Sequence, residues 1–145
     1  MDLLTALDIG ASGLSAERTH LNVISMNLAN AKTTRTPEGG PYKRKTVIFR
    51  SAPLDTPFAR EMNSFLDREI KGVKVQAIVN DNRPLKKVYD PGHPDADKDG
   101  YVYYPDINVV EEMANMMTTL RTYEANVSVI TTVKTMYNKA LEIGR

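Results

Sequence analysis

In the last third of the chain, core-type residues follow a strict alternation of four and three. They are Val109, Met113, Met116, Leu120, Tyr123, Val127, Ile130, Lys134, Tyr137 and Leu141, and Lys134 is the one break. A helix repeats every 3.6 residues, so this alternation holds a narrow apolar seam on one face. A seam of that kind needs a partner helix. The first thirty residues supply one: Leu4, Leu7, Ala11, Leu14, Leu21 and Leu28 fit the same spacing, with Arg18 and Ser25 at the two missing positions. Two matching seams at opposite ends, with different sequence between them, suit a chain built to assemble.

Composition narrows the classes. With 145 residues, 41% hydrophobic and 26% charged, the chain has the make-up of a folded protein of one modest domain plus extended ends. The net charge of +1 argues against holding nucleic acid or anionic lipid by bulk charge. Charge is uneven, however. Residues 32–50 carry Lys32, Arg35, Lys43, Arg44, Lys45 and Arg50 against Glu38 alone, a local +5 that leaves −4 elsewhere. Cysteine is absent, which excludes disulfides, thiolate nucleophiles and zinc-thiolate sites. No apolar run approaches the ~18 residues of a membrane span, so membrane insertion is not expected. Asp2 and Asp8 interrupt the N-terminal apolar run and the first base is Arg18, so a cleaved secretory leader is not expected either.

Three regions follow. Residues 1–31 read as an N-terminal helix, spanning 3–30, that contains Gly10 and Gly13. Each glycine costs about 1 kcal/mol against alanine in a helix, and the cluster Gly10-Ala11-Ser12-Gly13 either suits close helix approach or keeps the segment unfolded until it finds a partner. Residues 32–106 hold all eight prolines and read as a small β-rich insert. Tyr42–Phe49, Gly72–Val79 and Leu85–Tyr89 are the expected strands; residues 51–71 fit either a short helix or a loop. Residues 107–145 read as one long C-terminal helix over 107–143, with Glu111 and Glu112 favourably placed at its start and Gly144 as a stop. The fold class is mainly α with a β-rich insert, the terminal helices forming a coiled-coil-like pair in a subunit of a helical polymer.

Chemical motifs are few. Asp95, Asp97, Asp99, Gly100 and Val102 mimic the start of a calcium loop, but position twelve is the short Asp106, and Pro91, Pro94 and Pro105 preclude the flanking helices. A tight acidic turn leading into a strand is the plainer reading. His20 and His93 stand far apart in sequence with no acid or nucleophile beside them. No phosphate loop, nucleophile elbow or zinc motif occurs, so no enzyme activity, metal or cofactor is expected. In the basic stretch 42–50, Val47 and Phe49 are expected to face inward and Arg44 and Arg50 outward, a solvated strand face rather than a nucleic-acid site. The C-terminal helix also carries Val110, Met117, Val129, Val133 and Met136 off the seam. A helix apolar on several faces buries several faces, which brings in neighbouring subunits.

Ser25-Met26-Asn27-Leu28-Ala29-Asn30-Ala31-Lys32-Thr33 resembles the Asn-Leu-Ala-Asn signature of bacterial flagellar rod and hook axial proteins. Leu120-Arg121-Thr122-Tyr123-Glu124-Ala125-Asn126 resembles their second hallmark. Residues 89–97, Gly100-Tyr101-Val102, residues 131–136 and Ile143-Gly144-Arg145 resemble the proximal rod members of that family. The match is weakest over 51–71, and the family's usual asparagine after Pro105 is Asp106 here. The resemblance implies a structural subunit of the basal-body rod, the periplasmic drive shaft. It implies passage through the flagellar export apparatus without a cleaved leader. Its implied partners are copies of itself and rod proteins of the FlgB, FlgF, FlgG and FliE type. Expected subunit-packing residues are Leu14, Leu21, Leu28, Met113, Leu120, Tyr123, Val127 and Ile130. Asn27, Asn30 and Asn126 are expected to hydrogen-bond at helix ends and between subunits. Other readings are another rod or hook subunit, a coiled-coil adaptor, or a calcium-responsive module resting on residues 95–106. Limited proteolysis of the purified monomer separates them: a rod subunit loses both ends quickly and keeps a core near 40–105, whereas a self-contained helical module resists throughout.

Overall fold

The computed structural model describes residues 3–53 and 71–143. Helix α1 (Leu3–Ala29) is followed by strands β1 (Lys45–Pro53), β2 (Lys71–Asn80), β3 (Lys86–Tyr89) and β4 (Tyr101–Tyr104), then helix α2 (Val109–Ile143). Two long helices flanking a strand-rich middle is the expected class. Most of the ambiguous stretch 51–71 lies outside the described residues.

Each helix is bounded by local chemistry. At the end of α1, the backbone N–H and side-chain amide of Asn30 both donate to the Met26 carbonyl, and Thr33 donates to the Asn30 side chain. These bonds satisfy a carbonyl that the last turn leaves free. At the start of α2, Asn108 is the N-cap: its side-chain oxygen accepts from the Val110 N–H at 3.0 Å. Glu111 and Glu112 follow in the first turn, where the helix dipole favours carboxylates. Further along α2, the hydroxyls of Thr118, Thr119, Thr122, Thr131, Thr132 and Thr135 each donate to the carbonyl four residues back. Threonine is a middling helix former, so α2 draws its order from packing more than from propensity.

β1 and β2 form an antiparallel ribbon, with Lys45 opposite Asn80 and Pro53 opposite Lys71. A bulge between Ile48 and Phe49 breaks its register and turns Phe49 edge-on to His20 of α1, ring centres 5.5 Å apart. Lower on the ribbon, Ser12 of α1 accepts from the Val73 N–H at 3.1 Å. β3 and β4 make a separate antiparallel pair whose inner face buries Val102 completely. The acidic turn before β4 is closed by Asp97, which accepts from the N–H groups of Asp99 and Tyr101. Those bonds, Tyr101 first, hold the Asp97 carboxyl below its ordinary range. Gly100 completes the turn at φ 79°, the left-handed region. Among the described residues, no cluster of three or more His, Cys, Asp or Glu side chains is placed to hold a metal ion, and no helix is long and apolar enough to cross a membrane.

α1 lies between the ribbon and α2, and α2 packs along α1 and along no strand among the described elements. The two glycines of α1 make the close approach that their cluster suggested. A Cβ on Gly10 would stand 2.9 Å from Ile130 Cγ1, and one on Gly13 would stand 3.0 Å from Asn126 Nδ2. Gly10→Leu is therefore expected to wedge the helices apart and lower stability by about 1–3 kcal/mol. The amides of β1 and β2 should keep their hydrogen-exchange protection. A denaturant melt and exchange on the same variant check both parts.

Candidate assembly surface

The contacts between the helices run along a line that coincides with the expected seam only in part. The residues of α2 against α1 are Glu112, Thr119, Asn126, Ile130 and the buried Val133. Opposite them on α1 stand Gly10, Gly13, His20 and Asn27. The expected seam shares Ile130 with this line. Leu14, Leu21 and Leu28 on α1 lie roughly a quarter-turn away from it, as do Met113, Leu120 and Val127 on α2. The physical reason is small volume. Glycines let backbones approach where leucines would hold them apart, and the polar residues on this line find partners within the chain.

The displaced apolar residues gather on one side. On α1 the ribbon contacts Ser12, on the flank opposite the leucines. On α2 Glu111 reaches Arg83, just beyond β2, at 3.7 Å. That marks the ribbon side of α2, and Met113, Leu120 and Val127 rotate the opposite way. The hairpin thus turns one apolar face away from the ribbon. Met113 is 55% exposed, Leu120 42% and Val127 40%, flanked by half-buried Leu14, Leu21 and Leu28. Val110 and Met117 extend the face. Val129, Met136 and Ile143 form a second exposed stripe on the other flank of α2. Contiguous apolar area of this kind marks an interaction site.

The remaining expected packing residues divide. Tyr123, Asn126 and Ile130 are half-buried, with Asn126 and Ile130 against the α1 glycines. Asn30 closes α1. Asn27 is buried, and its hydrogen bonds lie within the chain. Its side-chain amide pairs with the Lys45 backbone like one rung of a sheet, donating to the carbonyl and accepting from the N–H at 2.9 Å each. The same side chain accepts from the Tyr42 hydroxyl at 3.1 Å and donates to Glu112 at 3.2 Å. Asn27 thereby ties the end of α1 to the start of β1 and the start of α2.

Glu112 is 1% exposed. It accepts from Arg44 Nε at 2.8 Å and sits 2.7 Å from the second guanidinium nitrogen. Arg44 also reaches Asp81 at 3.1 Å and donates to the Thr46 hydroxyl. Arg44 therefore does not project to solvent as its place in a basic run suggests; a buried carboxylate draws it inward. Burial works against its charge, but the hydrogen bonds and charges of Glu112 and then Asp81 outweigh that and raise its pKa. Burial, and secondly the Glu112 charge, push the Tyr42 hydroxyl up as well. Neither Arg44 nor Glu112 stands out in sequence. One sits among surface-like bases, and the other resembles any acid in a first helical turn.

The two histidines remain apart. His20 lies between Thr119 and Phe49 and, against the expectation of no acid beside it, has Glu17 one helical turn away at 3.7 Å; His93 Nδ1 accepts from the Asp95 N–H in its own turn. Asp95 in turn accepts from the Thr34 hydroxyl at 2.7 Å. Of the acids that imitate a calcium loop, Asp95 and Asp97 are thus engaged with the chain itself.

Comparison with known proteins agrees at both ends. Residues 7–35 match the family described as flagella basal body rod protein. Residues 98–143 match the C-terminal family of flagellar basal body rod FlgEFG proteins. The chain is 44% identical to flagellar basal-body rod protein FlgC of Borreliella burgdorferi, covering 99% of this chain and 98% of that one. It is 40% identical to FlgC of Salmonella typhimurium, with both chains covered in full. FlgC of Bacillus subtilis is 39% identical, again with both covered in full.

Side chains on the exposed apolar face contribute little to the stability of the single chain. Leu120→Asp is expected to fall within about 0.5 kcal/mol of the parent in a denaturant melt. Ile130→Asp, which puts a charge against Gly10, should cost several times more. Equal losses for the two would show that Leu120 is core.

Proposed function

Because the chain belongs to the FlgC family of flagellar basal-body rod proteins, we propose that it enters the proximal rod by burying the exposed face of its helical hairpin against neighbouring subunits. It is a structural subunit of the flagellar basal-body rod and serves motility. The observation that carries the finer reading is the set of large apolar side chains, Met113, Leu120 and Val127, left outside the fold on the side away from the ribbon. Burying apolar area is the main driving force for association.

The reading runs from residues to shaft in a few steps. α2 has one helix against it and apolar residues on two further flanks, so it is incompletely ordered until neighbours cover it. Assembly then couples helix ordering to association. Head-to-tail contacts that do not close generate a filament rather than a ring. Leu14, Leu21, Leu28, Met113, Leu120 and Val127 supply the packing between subunits in this reading. Tyr123, Asn126 and Ile130, with Asn27 and Asn30, hold the hairpin that presents them. Residues 1–31 and 107–145 then form the rod core and 32–106 the outer body. Partners are further copies of the chain and adjoining rod subunits, reached after export across the inner membrane in unfolded form. Torque passes through many interdigitated helices, and no catalytic step enters.

The test is mass spectrometry of detergent-extracted basal bodies, stripped of hook and filament, from a parent strain and a Leu120→Asp strain. The parent chain should co-purify, and the variant should be missing and leave the cells without rods. Normal rods containing the variant would refute the assembly face. Absence of the parent chain would refute the rod placement itself.

A further inference from the structure

The outer face of the β1–β2 ribbon holds a pair of side chains that works against its own fold. Val47 is buried and Phe49 meets His20 of α1, so the alternate residues Ile48 and Arg50 point away from the helix. The register sets Arg50 directly opposite Lys74. Like charges opposed across a strand pair destabilise it. Both cations are exposed, and among the described residues neither has an ion-pair partner. With Ser51 and Gln76 they line a hollow beside the bulge. Ile48, 42% exposed, adjoins them on the same face, and Val79 extends it. Two cations next to aliphatic side chains suit a partner that is acidic and partly apolar.

The chain itself carries such a partner. At the tip of the β3–β4 hairpin the Asp90 N–H donates to the Gly100 carbonyl at 2.9 Å, which brings Asp90 and Asp99 together. Both are exposed. Asp90 accepts from the Gly92 N–H with one oxygen, and the Asp99 carboxylate has no partner among the described residues. Tyr89, 64% exposed, stands beside them with its ring against Tyr101. Over residues 90–100, Lys98 is the only base against four aspartates. The two ribbons share no contact within the chain. We propose that the Asp90/Asp99 tip of one copy docks on the Arg50/Lys74 face of the next. This contact rests on the reading that copies of the chain assemble. The two patches differ, so it is head-to-tail and repeats from copy to copy. Charge pairing gives the contact direction and partner choice, which the apolar helix faces do not supply. Arrival of the carboxylates also relieves the repulsion across the ribbon, so docking stabilises the strand pair itself.

The chain has no cysteine, so a short bismaleimide reports one chosen pair. Gln76→Cys and Lys98→Cys adjoin the two patches and leave their four paired charges in place. In basal bodies from a strain carrying both substitutions, the reagent should join copies of the chain into dimers and higher multiples. Neither single-cysteine chain should do so. Arg50→Glu/Lys74→Glu in the same background should lower the crosslink at least about tenfold. Adding Asp90→Lys/Asp99→Lys should restore most of it. Arg50→Glu alone separates docking from folding. It sets opposite charges across the ribbon, so the purified chain should melt no lower than the parent while its crosslink falls. A lower melting midpoint would show Arg50 already satisfied within the chain and overturn the proposal. So would basal bodies that contain the chain but yield no crosslinked copies, or a crosslink through either single cysteine. The same holds for a crosslink that survives the first reversal, one that the second reversal fails to restore, or one that joins position 76 to a different rod protein. Absence of the parent chain from basal bodies would instead overturn the rod placement, and this contact with it.

Discussion

The carboxylate of Glu112, held out of water by Arg44 and Asn27, is the contact through which the two ends of the sequence and its middle become one object. Asn27 lies in the last turn of α1, Arg44 leads into β1 and Glu112 lies in the first turn of α2. A buried ion pair adds little net stability compared with an apolar replacement. It does demand one geometry of the groups that form it. Tyr42 and the Lys45 backbone complete the site from the strand side. The asparagine of the Asn-Leu-Ala-Asn signature thus has a physical role that needs all its capacity: its amide imitates a backbone rung, and only asparagine has both the donor and the acceptor at that reach.

Around this contact the chain divides its labour. The inward side of α1 combines Gly10, Gly13 and His20, which favour close approach to α2, with the buried apolar residues Ala16, Val23 and Ile24. On α2, Met113, Leu120 and Val127 face outward. The exposed apolar face of α2 agrees with the full-length similarity to FlgC proteins of the flagellar rod.

The periodicity of the sequence made the two helices legible, and turn residues with alternation marked the strands near 45–53, 71–80 and 86–89. The glycine cluster correctly foretold close helix approach. Which face of each helix meets the other was not legible, because a heptad pattern gives the apolar stripe without saying whether a partner inside or outside the chain covers it. Ile130 fits both lines, while Leu120 and Thr119, adjacent in sequence, point to different neighbours. Arg44 was misread for a related reason. Its burial depends on Glu112, 68 positions away, and no local pattern encodes that pairing.

The threonines of α2 bear on how such a helix behaves when enclosed. Each hydroxyl of Thr131 and Thr135 is turned back onto the carbonyl one turn earlier, so the methyl group is what a neighbouring surface meets. Around Thr131, Thr132 and Thr135 the helix therefore presents methyl groups whose neighbouring hydroxyl protons are already engaged. A dry interface can close over it without stranding a donor.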